Sequence, residues 1–248
     1  MRCLALAQAW RHAGGDVVLG MAQCTLAVEQ RLLEEGCRIE RFSAMPGSGD
    51  DVKATRLLIA SESPEWFVLD GYKFDSGYRE AIRDAGPKFL VVDDNGGQDC
   101  FSSDLVLNQN AHAAAKLYPQ RAAHTRLLLG PRYAMLRSEF ATYSGYVREI
   151  PKNGRNLLVT MGGSDPQNFT RRLLPDLRER LAHDVQIRVV LGGDAGHAGA
   201  IAAQAAGFQE RLRVHRDVRN MAELMVWADL AVAAAGTTCW EMCSLGLP

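Results

Sequence analysis

Short apolar runs alternate with amphipathic stretches along the chain, which is the pattern of buried strands separated by helices. Such alternation indicates a parallel sheet covered by helices on both faces. In the first part of the chain, strands are predicted at 17–21, 37–42, 66–69, 88–92, 104–107 and 126–129, and helices at 1–13, 25–35, 51–61, 76–85, 110–117 and 132–142.

A polar stretch with Pro151 and Gly154 interrupts the pattern near 149–154, and the alternation then starts again. We interpret this stretch as a linker and expect an α/β protein of two Rossmann-like domains, residues 1–148 and 149–248, with a cleft between them. In the second domain, strands are predicted at 156–160, 185–191, 212–215 and 229–233, and helices at 167–182, 196–206, 219–227 and 238–245.

The composition narrows the class of protein. Of the 248 residues, 47% are hydrophobic and 23% are charged, and the net charge of −1 gives no electrostatic footprint for nucleic acid. No apolar run approaches the ~18 residues of a membrane span, and no two of the cysteines form a C-x-x-C pair. These features predict a cytoplasmic protein that binds neither a membrane nor nucleic acid. Our further expectations are a monomer and a site without metal or cofactor.

Gly162, Gly163 and Ser164 directly follow the predicted strand at 156–160, and a helix follows them. Glycines let a ligand approach the backbone closely, and amides at a helix start attract anions. The alternative is a plain tight turn, because the G-x-G-x-x-G dinucleotide fingerprint is absent.

A second strand-to-helix junction carries Gly236, Thr237 and Thr238, with Glu241 about one turn into the helix. This junction is another potential anion site, and Glu241 there could accept two hydrogen bonds from a ribose diol. Alternatively, one threonine caps the helix and Glu241 complements the helix dipole.

Polar side chains also follow strands of the first domain, where open α/β sheets place their ligands. They are Tyr72, the pair Asp93 and Asp94, and the pair Asn108 and Asn110. The two aspartates could hold a divalent metal or simply form a turn, and the two asparagines could satisfy loop backbone.

Together these motifs resemble one known family, the UDP-2,4-diacetamido-2,4,6-trideoxy-β-L-altropyranose hydrolases of pseudaminic acid synthesis. The resemblance spans nearly the whole chain. It rests on MRCLALA (1–7), VVDD (91–94), LNQN (107–110), LGPRYA (129–134), VTMGGSDP (159–166) and AGTTCWE (235–241).

The resemblance implies a GT-B-like fold, with UDP bound mainly by the second domain. It places Gly163 and Ser164 near the diphosphate, Glu241 on the ribose and the backbone of Val218 on the uracil. Thr237 and Thr238 would supply amides and hydroxyls to phosphate, and fixed amides can neutralise that charge without a metal. In the first domain, Tyr72 would act near the sugar, and Asp94, Asn108 and Asn110 are the further substrate-binding candidates.

The implied reaction is attack of water on the anomeric carbon with inversion, which gives free sugar and UDP. The base resembles a histidine in a G-x-G-H loop that would lie upstream of Met1, next to a first strand that is also missing. We therefore expect the chain to be incomplete at both termini, inactive and poorly stable as written. The alternatives are a glycosyltransferase that uses a UDP-sugar donor and a non-catalytic nucleotide-sugar-binding module.

Overall fold

The strands and helices alternate as the apolar pattern predicts. The computed structural model of the protein describes residues 1–97, 99–163, 165–193 and 195–248. In the first part of the chain, the elements are α1 (Arg2–His12), β1 (Val18–Met21), α2 (Leu26–Glu34), β2 (Arg38–Arg41), α3 (Gly49–Glu62), β3 (Trp66–Asp70), α4 (Ser76–Arg83), β4 (Lys88–Val92), β5 (Leu105–Asn108) and β6 (Arg126–Leu129).

The second part repeats the alternation. Its elements are α5 (Ser138–Ala141), β7 (Asn156–Thr160), α6 (Phe169–Arg180), β8 (Gln186–Leu191), α7 (Ala198–Ala205), β9 (Leu212–Arg216), α8 (Met221–Trp227), β10 (Leu230–Ala233) and α9 (Thr237–Ser244). Short 3-10 helices lie at Ala115–Leu117, Pro131–Tyr133 and Ala206–Arg211.

Contacts divide the chain into two units. The N-terminal unit comprises Trp10–Cys24 and Arg31–Met135, and the C-terminal unit comprises Met1–Ala9, Thr25–Gln30 and Leu136–Pro248. The short N-terminal pieces that group with the C-terminal unit have no counterpart in the sequence pattern.

In the N-terminal unit, β3, β4, β5 and β6 form a four-stranded parallel sheet in that order, and β1 and β2 form a separate parallel pair. The core of the larger sheet is built on Phe89 and Val106, which are fully buried. Ile59 of α3 and Ile82 of α4 pack into the same apolar cluster. Since all strands run the same way, their carboxyl ends, with Asp93 among the residues that follow, lie at one edge of the sheet.

In the C-terminal unit, a four-stranded parallel sheet has the order β10-β7-β8-β9. Leu157 and Val159 of β7 belong to the cluster that contains Leu174 of α6, whereas Leu158 belongs to the cluster that contains Met225 of α8. Successive side chains of a strand point to opposite faces, so helices cover both faces of this sheet, as predicted.

The segment before the predicted linker packs with the C-terminal unit. Phe140 joins the cluster around Leu158, and the guanidinium of Arg148 donates to the carbonyl oxygens of Met225, Ala228 and Leu245. The C-terminal unit therefore includes the chain from Leu136 onward, whereas the predicted boundary lies after residue 148.

Two predicted helices are wrong in extent. At 110–117 only a 3-10 turn forms, because Tyr118 is drawn into the core, where its hydroxyl bonds Asn108. At 132–142 only Ser138–Ala141 is α-helical, because Arg137 adopts an extended backbone and its side chain is buried. In both places tertiary contacts override local helix propensity.

Candidate functional site

Three loops meet at the carboxyl edge of the C-terminal unit's sheet. A Cβ on Gly192, after β8, would lie 2.0 Å from the carbonyl oxygen of Gly163, after β7. A Cβ on Gly193 would lie 2.7 Å from a carboxylate oxygen of Asp217, after β9. At Gly192 only a residue without a Cβ fits against this carbonyl, so the loops after β7 and β8 bring their main chains together at the edge where α/β sheets bind ligands. Gly163 is exposed there and Gly192 is half-buried.

The start of α6, predicted to attract an anion, is already occupied by a carboxylate. Asp165 accepts the backbone N–H groups of Phe169 and Thr170 at 2.8 and 2.9 Å, and Asp165 itself is buried. Two of the helix-start donors are thus satisfied internally, and a second negative charge would be repelled there. Gly163 is exposed beside this cap, and Ser164 lies outside the described residues.

The start of α9 differs from that of α6. Gly236 precedes the helix, and within the described part of the chain no side chain caps it. Thr237 and Thr238 form its first two residues, so neither acts as the cap that the alternative interpretation required. The helix start therefore keeps its capacity to accept an anion.

Val218, whose backbone is predicted to contact the uracil, lies in the loop between β9 and α8. It is half-buried against the cluster around Met225. Asp217 immediately before it adopts a left-handed backbone, with φ of 49°, and its N–H bonds the carbonyl of Leu191. The turn at the end of β9 is therefore well defined.

Glu241, the predicted ribose ligand, is engaged by an arginine that the sequence did not single out. Arg137 donates from Nε to Oε1 of Glu241 at 2.6 Å and from Nη2 to Oε2 at 2.8 Å. Its third nitrogen, Nη1, lies 2.9 Å from Oε1 of Glu139. The side chains of Arg137, Glu139 and Glu241 are 7%, 9% and 4% exposed.

Burial opposes the charge of Arg137, but its hydrogen bonds to Glu241 and the charges of both glutamates outweigh burial and raise the pKa of the guanidinium. The arginine therefore stays charged. A planar guanidinium that binds a carboxylate through two nitrogens fixes the orientation of that carboxylate.

In the N-terminal unit, the structure brings together Tyr72, Asp94 and Asn110. The hydroxyl of Tyr72 donates to Oδ2 of Asp94 at 2.5 Å, and Nδ2 of Asn110 donates to Oδ1 at 2.8 Å. The ring of His112 lies 3.3 Å from the carbonyl oxygen of Asp94. We call Tyr72, Asp94, Asn110 and His112 the polar cluster. Tyr72 is 72% exposed, so this group presents hydroxyl, amide and carboxylate groups to solvent.

Asn108 has an internal role. It is fully buried, donates to the hydroxyl of Tyr118 at 2.9 Å and accepts the N–H of Asn110 at 3.0 Å. Tyr118 in turn donates to Asp93, which also accepts the N–H of Gly96. Burial raises the pKa of Tyr118, so its hydroxyl remains a donor. These contacts support the interpretation of Asn108 as a residue that satisfies the loop, and Asp93 forms the predicted turn.

Solved structures show what fold these two units make. MurG of Acinetobacter baumannii superimposes with a TM-score of 0.54 at 16% identity, over 96% of this chain and 68% of MurG. HepE of Anabaena, solved in complex with UDP, gives 0.54 at 15% identity, over 100% of this chain and 75% of HepE. The chain has a GT-B-like fold.

Sequence comparisons point the same way for this GT-B-like chain. Residues 157–248 match the glycosyltransferase family 28 C-terminal domain. An uncharacterised protein of Methanocaldococcus jannaschii is 25% identical over the whole chain, which covers 51% of that protein. The spore coat polysaccharide biosynthesis protein SpsG of Bacillus subtilis is 27% identical over 65% of the chain and 47% of SpsG. The chain thus spans about half the length of these curated relatives.

Two features of the GT-B-like chain escaped the sequence analysis. Gly192 and Gly193 follow a predicted strand as Gly162 and Gly163 do, and that shared placement was a signal that could have been used. Arg137 gave no signal, because its partner Glu241 lies far away along the chain. Among the described residues, no helix is long and apolar enough to cross a membrane, and no group of three or more His, Cys, Asp and Glu side chains is arranged to hold a metal ion.

Proposed function

We propose that the chain belongs to an enzyme that uses a UDP-sugar, and that its C-terminal unit binds the UDP. The observation that carries this proposal is the set of main-chain amides around Gly163 and Gly192, where two loops approach closely. They lie next in the sheet to the start of α9, which no side chain among the described residues caps. Such amides bind phosphate groups without a charged side chain. The match of residues 157–248 to a glycosyltransferase C-terminal domain and the UDP complex of HepE support the same ligand.

The start of α9, with Thr237 and Thr238, is proposed to receive the diphosphate. We prefer it to the start of α6, because Asp165 already takes two donors there. Glu241 is proposed to bind the ribose and the backbone at Val218 the uracil. The polar cluster, with Tyr72 and Asp94, stays the group predicted to contact the sugar.

For the reaction itself we propose hydrolysis of UDP-2,4-diacetamido-2,4,6-trideoxy-β-L-altropyranose to the free sugar and UDP. Its support is the set of motifs that runs through both units. Transfer of the sugar to an acceptor is the second candidate, and the match to family 28 glycosyltransferases specifically favours it. In either reaction, fixed donors at the diphosphate stabilise the charge that develops on the leaving UDP.

Binding is tested by titrating the chain with UDP, and with GDP as the control nucleotide, in a calorimeter. Gly163→Leu places a side chain where nothing lies within 4 Å, so it should leave the fold intact and obstruct the ligand. Gly49→Leu, at an equally open position in α3, is the matched control. We expect Gly163→Leu to weaken UDP binding about tenfold or more, the equivalent of ~1.4 kcal/mol. If the chain shows no UDP binding, or if both variants bind UDP as the unsubstituted chain does, the proposal is wrong.

The reaction is tested on the protein as its source organism makes it, by incubation with the UDP-sugar in the absence of any acceptor. Release of UDP together with free reducing sugar supports hydrolysis. Release of UDP only after an acceptor is added supports transfer and refutes hydrolysis.

A further inference from the structure

Arg137 forms a buried bridge between two carboxylates. Two of its nitrogens bind both oxygens of Glu241, and the third lies 2.9 Å from Glu139. The three side chains come from the stretch around α5 and from α9, all within the C-terminal unit. The arrangement gives Arg137 two anionic partners at once.

This bridge occupies both oxygens of Glu241. Glu241 is only 3% exposed, and each of its oxygens accepts a bond from Arg137. A ribose diol needs to reach the same two oxygens to form the paired hydrogen bonds that a carboxylate offers. Because Glu241 is almost fully buried, a diol can reach these oxygens only if a neighbouring side chain moves aside, and Arg137 is the neighbour bonded to both.

Glu139 makes the exchange feasible. If Arg137 withdrew from Glu241 without another anionic partner, a buried guanidinium would lose its compensating charge, which is strongly unfavourable. The contact between Nη1 and Glu139 does not involve the two nitrogens that hold Glu241, so it can persist while the other two bonds break. The positive charge then keeps an anionic partner in both states.

We propose that Arg137 is a positioning residue that holds Glu241 closed in the unliganded chain, and that a nucleotide ribose replaces it while Glu139 retains the arginine. This inference rests on the proposed function, since it takes UDP as the ligand. The exchange selects for nucleotides with an intact ribose diol, because only the diol can replace the two hydrogen bonds that Glu241 loses when Arg137 withdraws. A ligand without the diol binds through phosphate and base alone and leaves the pair closed.

The test compares the affinities of UDP and 2′,3′-dideoxy-UDP in the unsubstituted chain, Arg137→Lys and Glu139→Gln. Lysine keeps the charge but cannot bind both oxygens of Glu241 in a fixed fork, so the diol meets a weaker competitor. We expect Arg137→Lys to raise the preference for UDP over the dideoxy analogue roughly three- to tenfold, the range of one or two net hydrogen bonds. Glu139→Gln weakens the alternative partner of Arg137, and we expect it to lower the same preference.

The ratio of the two affinities separates this role from a merely structural one. A variant that only loosened the unit would weaken both ligands equally and leave the ratio unchanged. The inference is overturned if both variants shift the ratio in the same direction, or if neither shifts it. If Arg137→Lys fails to fold, the direction of the Glu139→Gln shift decides alone.

The outcome also distinguishes the two proposals. Absence of UDP binding to the unsubstituted chain overturns the proposed function and this inference together. Tight UDP binding with a ratio that Glu241→Gln does not change leaves the proposed function standing and overturns only the exchange at Glu241.

Discussion

Arg148 should be one of the most sensitive positions in the C-terminal unit. Its guanidinium donates to the carbonyl oxygens of Leu245, Ala228 and Met225 at 2.9, 2.5 and 2.7 Å. These carbonyls lie at the ends of α8 and α9, where helices leave their last acceptors unsatisfied. One side chain thus closes two helix ends.

The size of the effect follows from those three bonds. A hydrogen bond to a charged group contributes ~1.5–3 kcal/mol. The three bonds share one guanidinium, and Arg148 is only half-buried, so water can reach some of the vacated carbonyls. We therefore expect Arg148→Ala to lower the free energy of unfolding by about 3–4 kcal/mol, against a typical total of ~5–15. Arg148→Lys, with one point charge, should lose roughly half of that.

The assay is urea denaturation followed by tryptophan fluorescence, since Trp227 and Trp240 lie in α8 and α9. With a slope of about 2 kcal/mol per molar urea, the midpoint for Arg148→Ala should fall by about 1.5–2 M. Arg180→Ala is the matched control, because Arg180 forms an exposed ion pair with Asp176 that should contribute under ~0.5 kcal/mol. A midpoint for Arg148→Ala within error of this control would refute the reasoning.

Three further predictions concern the two sheets. Gly192→Ala would place a Cβ 2.0 Å from the carbonyl oxygen of Gly163. We therefore expect thermal unfolding to show a free energy of unfolding lower by about 1–3 kcal/mol, together with weaker UDP binding. An unchanged melting temperature would contradict the close approach of the loops. Asn108→Ala removes the donor to the buried hydroxyl of Tyr118, so we expect urea denaturation to show a free energy of unfolding lower by about 1–3 kcal/mol. An unchanged free energy of unfolding would mean that water replaces the amide. His215 has its pKa lowered from 6.5, first by burial and then by neighbouring arginines, so the unfolded chain binds a proton more readily than the folded chain. Stability should therefore fall as the pH drops through and below about 6.5. In melting curves taken from pH 8 to 5, His215→Asn should show a smaller fall in melting temperature. An identical pH dependence in both proteins would exclude His215 as the cause.

The sequence predicted the four-stranded sheets well because their central strands are apolar runs, as in β4 and β7, where four of the five residues are buried. The strands at 88–92, 126–129 and 156–160 have the predicted bounds. An apolar run can be recognised from the sequence alone, because it depends only on neighbouring residues and not on the fold. The same local signals placed the Gly-rich turn after β7 and the start of α9.

Features that depend on distant partners could not be predicted in this way. Arg137 looked like part of a helix and instead bonds Glu241, which is 104 residues away along the chain. For Asn108 the sequence left both ligand binding and loop support open, and it gave no sign of the bond to Tyr118 inside the unit. In each case the polar group has a partner that only the folded chain brings within reach.

The strand β7 lies between β10 and β8, and its alternate side chains enter two different apolar clusters. Both helical layers of the C-terminal unit therefore pack on the same strand, and we expect them to unfold together. A cavity made at Leu158 should loosen the layer that contains Leu174 as well as its own. Amide hydrogens of β7 should accordingly exchange only when the whole unit opens, and more slowly than those of the edge strand β9.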